Sequence, residues 1–260
     1  MKRSTLLTLS CAIAILSGCS GTTTKEPKPQ ATSKPAATPS YFKVDPATAG
    51  VVTGTIRYTG RKPARKLIDM SGDPACVEAH HGKAYDESIV VNPNHTLANV
   101  FVYIKSGLEG KNFETPATPV TIDQQGCWFR PRVLGIQVGQ TLRVTNSDPV
   151  THNIHPLAQI NREWNHSQGA GDAPLGRKFL KPEVMIRVKC NIHSWMHAFI
   201  GVVDNPYFAV TGSDGTFEIR NVPPGDYVME AWQETLGTQE QKVTVGPSGK
   251  IETKFSFKGK

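Results

Sequence analysis

Apolar residues in this chain recur at every second position, in short runs closed by Gly, Pro or Asp, and that pattern confines the fold to strands. Ala98-Asn99-Val100-Phe101-Val102-Tyr103-Ile104 puts Val100, Val102 and Ile104 on one face. Val184, Ile186 and Val188 alternate in the same way, and Ile136, Val138, Leu142 and Val144 flank a Gly139-Gln140 step. Further on, Asp214-Gly215 reads as a hairpin turn before Phe217 and Ile219, and Pro223-Pro224-Gly225 makes another turn. Tyr227, Met229 and Ala231 follow in phase, then Val243 and Val245, then residues 251–257. Strands spaced by ~8–12 residues with such turns predict an all-β chain built from β-sandwiches. Residues 158–180, with Gly169, Gly171 and Gly176, have no clear period and read as a long loop.

Composition narrows the class. The 260 residues are 38% hydrophobic and 20% charged, a globular balance with room for one large or two modest domains. No apolar run reaches the ~18–20 residues of a transmembrane helix, which excludes a polytopic membrane protein. A net charge of +7 points to acidic partners or anionic surfaces. No DNA- or RNA-reading motif is present, so nucleic acid is not an expected partner. Metalloprotease, phosphate-loop and serine-hydrolase signatures are absent too.

The first residues bear on compartment. Lys2 and Arg3 precede an apolar stretch from Leu6 to Leu16, followed by small residues, as in an export signal. Leu16-Ser17-Gly18-Cys19 resembles the bacterial lipobox. That resemblance implies a lipoprotein signal peptide over 1–18 and a lipidated Cys19. With Ser20 next, it also implies a periplasm-facing place in the cell envelope, the outer membrane favoured. The acyl chains on Cys19 would be the sole membrane attachment. Residues 19–48, rich in Thr, Pro, Lys and Ala, have too little apolar content to fold and read as a disordered tether.

Cys11 departs with the signal and Cys19 is acylated, leaving Cys76, Cys127 and Cys190. In an oxidising compartment two of three pair. Cys76 with Cys127 would close a loop of about 50 residues, worth roughly 4 kcal/mol in the chain-entropy model. A disulfide there makes His80 and His81 surface residues rather than metal ligands. The leftover thiol needs protection from oxidation, which a metal would supply. The Arg61-Lys62-Pro63-Ala64-Arg65-Lys66 cluster reads as a solvated basic loop, or one facing acidic lipid or a redox partner.

The sharpest constellation is Cys190-Asn191-Ile192-His193-Ser194-Trp195-Met196. Cys190 is in phase with Val184, Ile186 and Val188, so it should point inward at the end of its strand. His193 and Met196 lie on the turn just beyond. Upstream, Asn146-Ser147-Asp148-Pro149-Val150-Thr151-His152-Asn153 follows the strand holding Leu142 and Val144. Two imidazoles, a thiolate and a thioether form a soft donor set suited to copper in both oxidation states, and zinc remains an alternative.

Over about residues 117–204 these motifs resemble the blue copper proteins, or cupredoxins, with the shorter ligand loop of the amicyanin-like version. The resemblance implies a Greek-key β-sandwich. It also implies one type 1 copper ion on His152, Cys190 and His193, with Met196 as weak axial ligand. The Asn153 backbone N–H would bond the Cys190 sulfur, and His193 would be the exposed electron port. His155 lies three residues past His152 and would face the other way in an extended strand, so it either substitutes for His152 or serves a second site. His197 reads as surface or as a support to the ligands. Trp195 either belongs to an apolar docking patch around His193 or packs over the loop as core. Residues 205–260, with the Asp-Gly turn and the Pro-Pro-Gly-x-Tyr segment, resemble the carboxypeptidase regulatory-like sandwiches. That module is expected to pack against the copper domain, and the strand near Val51–Tyr58 to complete one of the two. Residues 49–116 read as an N-terminal β region that resembles no named family.

The expected function is a single-electron carrier between redox proteins with acidic or apolar docking surfaces, rather than an enzyme. The alternatives are a non-redox module for copper binding, delivery or sensing, and a copper enzyme with an added site on His155 and His197.

Overall fold

The structure, a computed structural model, describes residues 40–259. The signal peptide, Cys19 and residues 20–39 of the tether lie outside the described residues. In chain order the strands begin with β1 (Gly50–Thr59), β2 (Phe101–Ser106), β3 (Val120–Gln124), β4 (Phe129–Arg130), β5 (Val133–Gln137) and β6 (Thr141–Asn146). They continue with β7 (His152–Pro156), β8 (His166–Gln168), β9 (Leu175–Lys178), β10 (Glu183–Lys189) and β11 (His197–Val203). The last are β12 (Phe208–Val210), β13 (Thr216–Val222), β14 (Gly225–Gln233), β15 (Gly237–Val245) and β16 (Lys250–Lys258). One short helix, α1 (Pro74–His80), lies between β1 and β2. The chain is all-β, as the period-two alternation requires.

The strands form two sandwiches. In the first, the sheet β4-β3-β6-β9 faces the sheet β5-β11-β10-β7-β8. Ile122, Phe129, Leu142, Val144, Ile154, Ile186 and Val188 fill the space between them. In the second, β13-β1-β16 faces β12-β2-β14-β15 around Val52, Ile56, Val102, Met229, Phe255 and Phe257. β1 is the centre of its sheet, antiparallel to β13 from Gly50 to Thr55 and parallel to β16 from Val51 to Thr59. The second sandwich therefore takes strands from both ends of the described chain.

The sandwiches share a seam. Phe101, Tyr103, Val133 and Val203 form a third buried cluster between β2 and the β5/β11 edge, with Phe208 and Trp232 packed against it. β2 is thus covered on both faces, and its first four residues are all buried. A Cβ built on Gly201 would lie 2.6 Å from the Phe101 ring. Only glycine lets that ring rest on the β11 backbone.

Three local expectations are corrected. The 158–180 stretch contains β8 and β9, strands of three and four residues that are too short to display a period. Val184 does not face inward. The β10–β11 register shifts between Glu183 and Ile186, leaving Val184 37% exposed. Asp214-Gly215 and Pro223-Pro224-Gly225 are not hairpin turns. β13 pairs with β1 rather than with β12 or β14, so both segments carry the chain from one sheet of the second sandwich to the other.

Candidate metal centre

The site sits at one end of the first sandwich. β6 ends at Asn146, whose side chain locks the following turn. Its Oδ1 accepts from the Asp148 N–H at 3.0 Å, and its Nδ2 donates to the Val150 carbonyl at 2.8 Å. That turn delivers Asp148 and then His152, the first residue of β7. From the neighbouring strand β10, Cys190 continues inward one step past Lys189. The ligand loop is closed by the Cys190 N–H donating to the Met196 carbonyl and the Met196 N–H donating to the His193 carbonyl, both at 3.0 Å.

The loop brings His152, Cys190 and His193 together. One donor atom of each lies within 4.8 Å of the others, and all three residues are buried. The two Nδ1 atoms are 3.0 Å apart, and Cys190 Sγ is 3.8 Å from His193 Nδ1. Carboxylates hold the opposite edges of both rings. His152 Nε2 donates to Asp148 Oδ2 at 2.8 Å, and His193 Nε2 donates to Asp73 Oδ2 at 2.9 Å. These partners assign the tautomers: each Nε2 carries the proton, and each Nδ1 turns its lone pair toward the other and toward the sulfur.

Two nitrogen lone pairs 3.0 Å apart repel unless a cation or proton lies between them. The charges agree. Burial would raise the Cys190 thiol, but hydrogen bonds with His152 and from the backbone N–H groups of Asn153, His193 and Ile192 bring it down to about 6. Burial would lower His152, but its bonds to Asp148 and Cys190 outweigh that and the net shift is upward. Burial likewise works against the Asp148 carboxylate. The His152 bond and the N–H groups of Cys127 and Gly126 prevail, leaving it below the ordinary range. A thiolate beside two nitrogen donors, each backed by a carboxylate, suits a soft transition-metal cation, which would take the place of the shared proton. Met196 is fully buried in the same core.

His193 is not the exposed edge expected of it. It is 3% exposed, because a segment that precedes β2 in the chain lies over it. Asp73 caps α1 by accepting from the N–H groups of Ala75 and Cys76, with Pro74 opening the helix. The same carboxylate holds the His193 ring. Cys76 is joined to Cys127 by a disulfide, which fixes the helix to the β3–β4 turn. His80 reaches that turn as well, 3.1 Å from the Gly126 carbonyl. Trp195 completes the cover: half-buried against the first core, it donates from Nε1 to the Cys127 carbonyl at 3.1 Å.

The two spare histidines lie apart from the cluster. His155, on the opposite side of β7, pairs with Glu163 at 2.5 Å and with the Asn191 side chain at 3.3 Å. His197 takes a hydrogen bond from Arg132 at 2.6 Å and gives one to the Trp195 carbonyl. Burial, Arg132 and Arg187 push it down to about 4, which keeps it neutral.

Sequence reasoning missed Asp148 and Asp73 as supports. Asp148 stood in the motif preceding His152, at the i,i+4 spacing that now joins them. Asp73 carried only a helix-start signal, Asp-Pro, and its partner is 120 residues away.

A family model described as "Polysaccharide lyase family 4, domain II" matches residues 193–253, a minority of the chain, and not the carboxypeptidase regulatory-like family expected over 205–260. No curated protein matches in sequence. Among solved structures, a copper-containing nitrite reductase from Thermus scotoductus is 27% identical over 37% of this chain, with a TM-score of 0.32. The match spans only 24% of that reductase. A purple cupredoxin from Nitrosopumilus maritimus is 23% identical over 32% of this chain and 98% of its own, with a TM-score of 0.28. An amicyanin variant in its Cu(I) form is 18% identical over 39% of this chain and 97% of its own, with a TM-score of 0.29.

Proposed function

We propose that this protein is a single-electron carrier that holds one copper ion on His152, Cys190 and His193, with Met196 as a weak fourth ligand. The observation that carries this reading is the buried convergence of two Nδ1 atoms and a thiolate sulfur, each held from behind. Copper bound there would supply a one-electron couple. The chain's own residues do the rest. Asp148 and Asp73 fix the ring orientations, so both nitrogens stay aimed at one point. The backbone N–H groups of Asn153, Ile192 and His193 stabilise the thiolate charge. The surrounding apolar core excludes water and resists movement, which keeps reorganisation small when the charge at the site changes. With four protein ligands no position is left for a substrate, so the reading is a carrier rather than an enzyme.

The proposal extends to place. Cys19 carries the lipid, and the carrier works at the periplasmic face of the cell envelope. Zinc fits the nitrogen and sulfur donors but not a redox role. A second reading, copper storage or delivery without turnover, draws on the covered His193, since a buried outer ring edge hinders contact with a partner. Protein-film voltammetry separates the two. A carrier gives a reversible one-electron wave with one copper per chain, whereas copper that drains to a chelator without any wave supports delivery.

A further inference from the structure

If His193 is closed to partners, a carrier must meet them elsewhere, and one face next to the site is open. A groove of about 790 Å³ runs between the 160–165 and 177–181 segments. Its walls carry Arg162, Arg177, Lys178 and Lys181 against a single carboxylate, Glu163. Apolar surface lies within this cationic rim. Ile160 is 56% exposed and Leu180 73%. Trp164 lies beside them, with the Arg177 guanidinium 5.5 Å over its ring. Exposed apolar side chains ringed by one sign of charge mark an interaction face.

The groove is preformed. The buried Glu183 fixes the first wall by accepting from the N–H groups of Gln159 and Asn161 at 2.6 and 2.9 Å. Asn161 Oδ1 accepts from the N–H groups of Leu180 and Lys181 at 2.8 and 3.0 Å, stitching one wall to the other. Phe179 anchors the second wall in the core.

It is also joined to the metal centre. The Asn153 side chain accepts from the Asn191 N–H at 2.5 Å and donates to Asn165 Oδ1, on the groove wall, at 2.5 Å. On a parallel line, His155 bridges Asn191, the residue after Cys190, to Glu163. Each line links the residue that follows Cys190 to the groove wall through two hydrogen bonds.

We infer that this groove is the docking surface for the carrier's redox partner, a small protein that presents carboxylates around an apolar centre. The inference rests on the electron-carrier reading for the partner's role, and on charge and apolar complementarity for its chemistry. The Arg65/Lys66 loop, the other basic stretch, serves as the control surface.

The test is calorimetric binding of the full chain, with and without copper, to a small acidic cytochrome c at low ionic strength. Arg177→Glu with Lys181→Glu should weaken binding about tenfold or more, and the loss should fade at high salt. Arg65→Glu with Lys66→Glu should change it by less than about twofold. Leu180→Ser should weaken binding by about threefold to tenfold at any salt, since a buried apolar contact is not screened. A basic cytochrome c should bind more weakly than the acidic one. Equal losses from the two charge reversals, a larger loss from the 65/66 pair, or no binding by the unaltered chain would overturn the inference. The surface and the carrier reading fail separately. Groove-dependent binding by a chain without a copper wave leaves the surface standing. A reversible wave with groove-independent binding leaves only the carrier.

Discussion

The two sandwiches are built from the same kind of strand and have different interiors. The second is closed by apolar residues such as Ile56, Val102, Met229 and Phe257, with buried hydroxyls and amides spent on backbone partners. In the first, Ile122, Leu142 and Ile154 form an equally apolar middle, but at one end His152, Cys190 and His193 replace hydrophobes. Burying those groups costs free energy unless each is partnered. Asp148, Asp73 and three backbone N–H groups supply the partners. The contrast sets an apolar interior in one sandwich against a buried polar cluster, the candidate site, in the other, with the 66–86 segment reaching across from the chain of the second to cover the first.

That division can be broken. Phe257→Ala should destabilise the chain by about 3–5 kcal/mol in denaturant unfolding while leaving the copper affinity of the folded fraction unchanged. Parallel loss of metal would mean that the second sandwich shapes the site.

Replacing Cys76 and Cys127 together by Ser should cost about 2–4 kcal/mol, and it should free α1 from the β3–β4 turn. Diethyl pyrocarbonate should then modify His193 of the metal-free chain several-fold faster, read by peptide mass. An unchanged rate would show that Asp73 alone holds the cover.

Asp148→Asn should cost about 1–3 kcal/mol by weakening a charge-assisted bond to a buried imidazole. The sign with pH follows from a carboxylate held below its ordinary value in the folded state. Its contribution is complete above the unfolded value of 3.8 and is lost as pH falls through the lowered folded value. Acid unfolding of the metal-free Asn variant should therefore start from lower stability and have a shallower limb. Identical acid limbs would remove Asp148 from the account.

The smallest effect sharpens the register of β10. Val184→Thr, on the exposed side of the register shift, should change stability by less than about 0.5 kcal/mol, whereas Val188→Thr in the core should cost about 1–3 kcal/mol.

What the sequence could disclose followed from how local each cause is. The all-β class was legible because strands with one wet face alternate, as β16 does from residue to residue. In β2 the alternation named one buried face, but Phe101 and Tyr103 are buried on the other by a sheet from distant sequence. His152 stood in a turn motif, and Cys190, His193 and Met196 within seven residues, so local spacing was enough to nominate them. The pairing of Cys76 with Cys127 rested on counting thiols. The cover over His193 had no local mark, since Asp73 reads as an ordinary helix cap until the fold carries it across the site. The groove was hidden for the same reason: its walls, an irregular segment and the end of the short strand β9, are stitched through Asn161 and Glu183.

The most direct measurement is an optical copper titration of the metal-free protein beside its Cys190→Ser variant. The account predicts an intense visible thiolate-to-copper band that saturates at one ion per chain in the parent and is absent from the variant. Copper binding with no such band, or the same colour in both proteins, would contradict it.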